Sequence, residues 1–384
     1  MSVAPMDPVE LTQRLVRTPS VNPALEEGGA GEEAVARLAA GWLDDWGYQV
    51  DLTKLSADRY NVVARRRRSD GPTLLLNGHL DTVGIGGMKE PFSGSLEGRR
   101  LHGRGACDMK AGVACALSTA GRLAKEDFEG ELIVALTADE EHASLGMQAL
   151  VDSGLRADGA IVCEPTELQI MPAHKGFLWI DVQVDGRAAH GSMPEVGVDA
   201  IVHMGAVLTA LKTEARRLAE ERGHPLLGPG SIHAGTISGG TAPSIYPESC
   251  DLVVERRTLP DETLEQIMAE MEHVLETART SLPELSAAAS AGLYRAATEV
   301  PTDSPLALAL GAACRDQGLP VEIAGMTAWV DACFLNLSGT PALCFGPGSI
   351  AQAHSEDEWV SVEQIEACER VLTSFARTFL RSGG

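Results

Sequence analysis

The sequence predicts an α/β protein with two domains, in which a smaller α+β domain is inserted into a larger one. The chain has 384 residues, more than the roughly 250–300 that one hydrophobic core usually serves. Short, wholly apolar segments alternate with amphipathic helices in the first and last parts of the chain, whereas apolar and polar residues alternate singly in the middle part. We expect the larger domain over 1–176 and 293–384, and the inserted domain over 177–292.

The larger domain is expected to hold a sheet that is covered on both faces. Asp7, Pro8 and Glu10 form the pattern of a helix start, with Asp7 as the N-cap. The periodicity predicts helices over 9–16, 32–46, 111–123 and 362–380, and strands over 73–76, 132–136, 160–163 and 342–345. Because these strands are apolar on both sides, they are typical of the interior of a sheet.

The inserted domain is expected to be ferredoxin-like. Apolar residues alternate with polar ones from Leu178 to Val184, the pattern of a strand with one buried face. A helix is predicted over 199–221, strands over 231–237 and 251–256, a helix capped by Asp261, and a last strand over 285–289. The order β-α-β-β-α-β is that of the ferredoxin-like arrangement.

The charge of the chain excludes two classes of partner. Its 31 basic and 54 acidic residues give a net charge of −23, which repels nucleic acids and anionic membranes. The one strongly basic run, Arg65–Arg68, is interpreted as a solvated turn between strands. The chain has no apolar run of the roughly 20 residues that span a bilayer and no signal-peptide pattern at its start. Its eight scattered cysteines contain no CxxC pair. We therefore expect a cytoplasmic protein with reduced, buried thiols.

Acidic and histidine side chains follow the apolar strands of the larger domain. His79 and Asp81 end the first, Glu140 and Glu141 follow the second, Glu164 follows the third, and His354 comes after the last. Ligands of open α/β sheets collect at the carboxyl ends of strands. The sequence therefore predicts one crevice into which these side chains converge.

The spacing of these residues favours a metal site. His79 and Asp81 would lie on the same side of an extended segment, so that one could bind a metal while the other orients it. Asp108 lies in a glycine-rich loop before a helix, where its carboxylate could bridge two cations, and an acid there argues against a dinucleotide-binding loop. Glu140 and Glu141 would point in different directions, although a surface acidic pair is the alternative. Several carboxylates packed together need cations, and histidines with carboxylates suit zinc.

Five segments together resemble the M20 metallopeptidases: 78–83, 103–110, 139–141, 163–165 and 345–354. The resemblance covers essentially the whole length. It implies a zinc-peptidase-like catalytic domain, an inserted dimerisation or lid domain, a homodimer, and hydrolysis of the amide bond of an N-acyl amino acid. Acetylornithine is the first expected substrate, succinyl-diaminopimelate the second and a peptide the third. A metal-dependent binding protein without catalysis is the alternative from another class.

The resemblance also implies roles for individual residues. One zinc ion would be held by His79, Asp108 and Glu164. A second would be held by Asp108, Glu141 and His354, and cobalt could substitute. Asp81 would orient His79, and Glu140 would act as general base and then as general acid. The Asp108–Met109 peptide bond would be cis.

Three further residues are expected to touch the substrate. His190 matches a histidine that reaches the active site of the partner subunit and would donate a hydrogen bond to the oxyanion; an exposed turn histidine is the alternative. Arg257 matches an arginine that holds a substrate carboxylate, with a structural ion pair as its alternative. Asp331 would lie near the substrate and pair with a side-chain amine.

Overall fold

The chain folds into two compact units, each with its own core. The computed structural model describes residues 6–381. Within that range, unit 1 comprises 6–172, 300–324 and 330–381, and unit 2 comprises 173–299 and 325–329. Buried apolar side chains form one cluster in each unit. Residues 325–329, which the sequence analysis assigned to the larger domain, belong to unit 2.

Nine α-helices are present in the described part of the chain. They are α1 (Pro8–Val16), α2 (Glu33–Asp45), α3 (Ala111–Leu123), α4 (Leu145–Asp152), α5 (Ala200–Glu220), α6 (Leu264–Ser281), α7 (Pro305–Asp316), α8 (Ala332–Leu337) and α9 (Val362–Phe379). As predicted, the Asp7 side chain caps α1, since its Oδ1 accepts the backbone N–H groups of Val9 and Glu10 at 2.9 and 3.2 Å.

Sixteen strands accompany these helices in residues 6–381. They are β1 (Gln49–Lys54), β2 (Tyr60–Arg67), β3 (Thr73–His79), β4 (Ser95–Glu97), β5 (Arg100–His102), β6 (Glu131–Thr137), β7 (Gly159–Val162), β8 (Ile170–His174), β9 (Gly176–Asp185), β10 (Ser231–Gly239), β11 (Ser249–Thr258), β12 (Ser286–Arg295), β13 (Thr298–Glu299), β14 (Ile323–Met326), β15 (Ala342–Cys344) and β16 (Trp359–Ser361).

The main sheet of unit 1 is mixed. Its strands follow the order β1-β2-β6-β3-β7-β15-β8, and β14 also pairs with β8. The four central strands β6, β3, β7 and β15 are parallel, and β1, β2 and β8 are antiparallel to their neighbours. Nearly every residue of β3, β6 and β7 is buried, as their apolar sequences require. Helix α3 packs on β3 and β6 and contacts α1 and α9. A small sheet, β16-β5-β4, completes the unit.

Unit 2 is a four-stranded antiparallel sheet with two helices. Its strand order is β10-β11-β9-β12, and the chain runs β9-α5-β10-β11-α6-β12. The side chains of β9 alternate between buried and exposed, and α5 and α6 pack against each other and against the sheet. The predicted fold class, an α/β domain with an inserted β-α-β-β-α-β domain, is therefore confirmed.

Two local predictions were wrong. The basic run is not a turn, because Arg65–Arg67 end strand β2, which pairs with β1 and β6. The guanidinium of Arg66 donates to the carbonyl oxygens of Gly47 and Ala124 at 2.7 and 2.8 Å, so backbone oxygens accept from both of its terminal nitrogens. The cap of α6 is Thr263, whose side chain and that of Gln266 form a capping box, and not Asp261.

The thiols agree with another expectation. All eight cysteines are free and buried. Among residues 6–381, no helix combines the length and the apolar character that crossing a lipid bilayer requires.

Candidate metal centre

The carboxyl ends of the central strands bring acids and histidines to one edge of the unit 1 sheet. His79 is the last residue of β3, and Asp81 follows it at once. Glu140 and Glu141 come three and four residues after β6, and Glu164 comes two residues after β7. Because β3, β6, β7 and β15 are adjacent and parallel, their ends meet at one edge of the sheet.

Asp108 belongs to two groups of side chains. Its Oδ1 lies 3.1 Å from His79 Nε2, and its Oδ2 lies 3.4 Å from His354 Nε2. His354 Nε2 is also 2.9 Å from Glu141 Oε2. In the groups His79–Asp108–Glu164 and Asp108–Glu141–His354, the possible ligand atoms all lie within 4.8 Å of one another. Each oxygen of Asp108 therefore faces a different group.

Burial and mutual charge decide the protonation of the acids. Burial, followed by the charge of Asp108, raises the pKa of Glu164 to about 8 and that of Glu141 to about 7. Burial also raises the pKa of Glu140 well above its usual range, and the charge of Glu164 adds to this. Without a compensating cation, these carboxyls would keep their protons near neutral pH.

The pKa values of the two histidines are raised as well, but by contacts with the acids and not by burial. Hydrogen bonds with Asp108 and Glu141 raise the pKa of His354 to about 10. Burial would lower the pKa of His79, but its hydrogen bonds with Asp108 and Asp81 outweigh burial and raise it. The same contacts overcome the effect of burial on Asp108, whose pKa lies below the usual range. Without a bound cation, protonated His79 and His354 would thus supply the positive charge among these acids.

The donor set fits divalent cations. Two imidazoles with carboxylates are the ligands that zinc prefers when no thiolate is present. Glu141 Oε1 and Glu164 Oε1 are buried, and no residue between 6 and 381 donates a hydrogen bond to either oxygen. A buried acceptor without a donor is costly, and a cation in each group would remove that cost. His79, Asp108, Glu141, Glu164 and His354 can therefore act as metal ligands.

Asp81 contacts the segment that carries Glu140 and Glu141. Its carboxylate accepts the backbone N–H groups of Glu140 and Glu141 at 3.1 and 3.2 Å. The nearest acceptor for His79 Nδ1 is the backbone carbonyl oxygen of Asp81 at 3.0 Å, whereas the carboxylate Oδ1 is 3.6 Å away. Asp81 thus contacts His79 mainly through its main chain, and its side chain binds the backbone of the acidic pair.

Asp81 also belongs to a buried polar network that the sequence analysis did not predict. Asn22 Nδ2 donates to Asp81 Oδ2 at 2.8 Å and to Asp139 Oδ1 at 3.0 Å. Arg59 pairs with Asp139 at 3.0 Å and with Glu32 at 2.5 Å, and it also donates to Asn22. These partners lie up to 117 positions apart, so no local pattern in a single sequence predicts their contacts. The network holds Asp139, which adopts a left-handed φ of 69°, next to the acidic pair.

The backbone at Asp108 agrees with the expectation from the resemblance. The Asp108–Met109 peptide bond is cis.

Asp331 lies inside unit 1 and is 1% exposed. Its Oδ2 is 3.4 Å from Thr137 Oγ1, and burial raises its pKa to about 7. Its charge also helps to raise the pKa of Glu140 and Glu164. The predicted contact between Asp331 and a substrate amine stays a prediction.

His190 and Arg257 belong to unit 2. His190 is exposed, and its Nδ1 lies 2.8 Å from Ser192 Oγ. Arg257 Nε donates to Glu255 Oε1 at 2.7 Å, and its guanidinium lies 5.4 Å from the centre of the Phe177 ring. The ion pair that the sequence analysis named as the alternative for Arg257 is therefore present, and the substrate contacts of both residues stay predictions.

Known proteins resemble this chain over nearly its whole length. An acetylornithine deacetylase of Myxococcus xanthus is 34% identical over 356 residues, which cover 88% of this chain and 89% of that protein. Another from Proteus mirabilis (strain HI4320) is 28% identical over 379 residues, covering 97% and 96%. A Bacillus subtilis structure described as a dinuclear metal binding peptidase from the M20 family superposes with a TM-score of 0.73 at 16% identity, covering 97% of each chain. The sequence profile of peptidase family M20/M25/M40 matches residues 75–378, and the chain belongs to this family.

Proposed function

We propose that this protein is a zinc-dependent amidohydrolase that removes the acyl group from an N-acyl amino acid, with N-acetylornithine as its substrate. The observation that carries the proposal is the pair of ligand groups that share Asp108, with Glu140 beside them. The deacetylases of Myxococcus xanthus and Proteus mirabilis support the choice of substrate.

Two zinc ions would be held, one by His79, Asp108 and Glu164, and the other by Asp108, Glu141 and His354. The dinuclear relative from Bacillus subtilis supports this number. When bound, such ions polarise an amide carbonyl and make a water molecule more acidic.

Glu140 would move the proton in this reaction. Its carboxylate belongs to the segment fixed by Asp81, and the charges of Glu164 and Asp331 raise its pKa on top of burial. A base of raised pKa can take a proton from water and later return it to the leaving amine. In unit 2, His190 would donate a hydrogen bond to the oxyanion in the active site of the partner subunit, and Arg257 would bind the substrate carboxylate in exchange for Glu255. Asp331 would neutralise the substrate amine.

A homodimer through unit 2 is part of the proposal. Strand β10 lies at an edge of its sheet, and Ile237 on this strand is 54% exposed. Ile201 and Val202, at the start of α5, are exposed as well, and Ile201 lies against Gly239 of β10. An edge strand beside exposed apolar side chains is typical of an interface. Sedimentation should give a dimer for the wild type and a monomer for Val202→Glu.

The function is tested by assaying the purified protein with zinc or cobalt against acetylornithine, succinyl-diaminopimelate and a panel of dipeptides. Release of acetate from acetylornithine is the expected result. Glu140→Ala should abolish turnover and still retain two metal ions, whereas the exposed Glu27→Gln should behave as the wild type. Turnover by Glu140→Ala would remove Glu140 as the base. Hydrolysis of another substrate in the panel, and not of acetylornithine, would replace the proposed substrate.

A further inference from the structure

A buried carboxylate far along the chain is surrounded by hydrogen-bond donors from the Asp108 segment. Glu358 is 1% exposed. Its Oε1 accepts the backbone N–H groups of Cys107 and Asp108 at 2.9 and 3.1 Å. Its Oε2 accepts the backbone N–H of Gly105 at 3.0 Å and Nη1 of Arg104 at 2.7 Å. A carboxylate has about four acceptor sites, and these four bonds fill them.

Arg104 extends this contact to two other segments that carry candidate metal ligands. Its side chain is 2% exposed. Its Nε donates to the carbonyl oxygen of Gly84 at 2.9 Å, and its Nη1 donates to that of Ser355 at 3.1 Å. Gly84 comes three residues after Asp81 on the segment that leaves β3, and Ser355 is the residue after His354. One guanidinium therefore joins the segments of His79, Asp108 and His354.

The Asp108 segment needs an external acceptor for its N–H groups. Asp108 has φ −117° and ψ 97°, and Gly105 has φ 78°, so this stretch of backbone is not regular helix. A buried N–H group without an acceptor costs as much as a lost hydrogen bond, and three of them point at one carboxylate. Arg104 supplies the fourth donor, and its guanidinium balances the negative charge that a carboxylate would bring into this buried place.

We propose that the buried Arg104–Glu358 pair is a positioning unit, which holds the Asp108 carboxylate so that its two oxygens face the two ligand groups. This inference rests on the proposed metal-dependent function and adds residues that do not themselves touch metal or substrate. Arg104 keeps the His79 and His354 segments in register with Asp108, and Glu358 fixes the backbone of Asp108 itself.

The substitution Glu358→Gln tests the proposal sharply. In a glutamine, one of the two oxygen positions becomes an NH₂ donor. In one orientation this donor faces the N–H groups of Cys107 and Asp108, and in the other it faces Arg104 and the N–H of Gly105. Neither orientation can satisfy all four donors, so the Asp108 segment must shift although the side chain keeps its size.

Glu369→Gln is the matched control. Glu369 is also a buried acid of unit 1, 3% exposed. It accepts hydrogen bonds from Arg122, from Ser118 at 3.4 Å and from Thr373 at 3.1 Å. It joins α3 to α9, and none of these three partners belongs to the Asp108 segment, so its substitution reports the general cost of a buried amide in this unit.

The experiment is a titration of the full-length, metal-free proteins with Co²⁺ and Zn²⁺, followed by the visible absorption of bound Co²⁺ and by the metal content after dialysis. Removing a residue that orients a metal ligand typically weakens metal affinity about 10–100-fold. We expect a loss of this size and a changed Co²⁺ spectrum in Glu358→Gln, and wild-type values in Glu369→Gln.

The outcomes separate this inference from the proposed function. Equal affinity and an unchanged spectrum in Glu358→Gln would overturn the positioning role and leave the metal-dependent function in place. A wild-type protein that binds neither ion would overturn the proposed function instead, and the positioning role with it. If Glu358→Gln does not fold, Arg104→Lys decides, because a lysine cannot reach Glu358, Gly84 and Ser355 together. We expect weaker metal binding in that variant, and unchanged binding would refute the role of the pair.

Discussion

The buried histidine of unit 2, His174, should make the stability of that unit depend on pH. It is 2% exposed. Its Nδ1–H donates to the carbonyl oxygen of Lys175 at 3.0 Å, and Thr298 Oγ1 lies 2.8 Å from its Nε2. The neutral imidazole therefore has a partner at each nitrogen. Burial lowers the pKa of His174 to about 4 from its usual 6.5.

The sign and the size of the effect follow from this difference. Above pH 6.5 the imidazole is neutral in both the folded and the unfolded chain, so its contribution to stability is constant. Between pH 6.5 and 4 only the unfolded chain takes up the proton, and the free energy of unfolding falls as the pH falls. From pH 7 to pH 4.5 the loss is about 2–3 kcal/mol, at 1.36 kcal/mol per pKa unit.

Hydrogen exchange of the amides in β9 and β11, measured by mass spectrometry at pH 7 and at pH 4.5, gives the opening free energy of unit 2. His174→Gln keeps an acceptor and a donor without a titrating ring, so its loss between the two pH values should be about 2–3 kcal/mol smaller than that of the wild type. Other titrating groups contribute equally to both proteins and cancel in the comparison. The reasoning is refuted if the wild type and His174→Gln lose the same free energy.

Three further results are expected. Arg59→Met leaves buried acids unpaired and should lower the free energy of unfolding, measured by chemical denaturation, by about 3–5 kcal/mol. Arg14→Met breaks an exposed ion pair and should lower it by less than about 1 kcal/mol. Equal losses in the two variants would contradict the buried network around Arg59. Gly112→Ala would put its Cβ 1.9 Å from the carbonyl oxygen of Cys163 and should lower the free energy of unfolding by more than about 3 kcal/mol. Gly41→Ala meets open space on α2 and should raise it by about 0.5–1 kcal/mol. A Gly112→Ala variant as stable as the wild type would contradict the close packing of α3 against Cys163. Chelation should lower the melting temperature in a scanning fluorimetry assay and zinc should restore it, and an unchanged melting temperature would speak against bound metal.

The sequence pattern predicted the interior of the sheets better than their edges. The apolar runs of β3, β6 and β7 have no other stable place than between two layers, and the alternation in β9 could only describe a half-buried strand. Strand β1 was missed because only Val50 and Leu52 of its six residues are apolar, and the other four are exposed. Strand β2 was missed because its arginines were interpreted as a solvated turn, and the carbonyl acceptors of Arg66 are known only from the fold.

The candidate site likewise contains residues that the sequence pattern could predict and residues that it could not. His79, Glu141 and Glu164 could be grouped in advance because each follows an apolar strand, and parallel strands end at one edge. Asn22, Arg59 and Glu358 could not, because they act through hydrogen bonds to segments that are 27 to 254 positions away. The contacts of such supporting residues depend on the folded backbone, and no periodic pattern in a single sequence predicts them.

The insertion of unit 2 between the segments of unit 1 has a consequence during synthesis of the chain. Strand β15 pairs with β7 across 182 positions, Ala342 opposite Ala160, and α9, which covers α3, is translated after β15. All strands and helices of the inserted ferredoxin-like sheet leave the ribosome before β15 does. Domains generally fold as units while translation proceeds, so the nascent chain can complete that sheet early. The apolar strands of residues 6–172 must then wait, only partly covered, until α9 emerges.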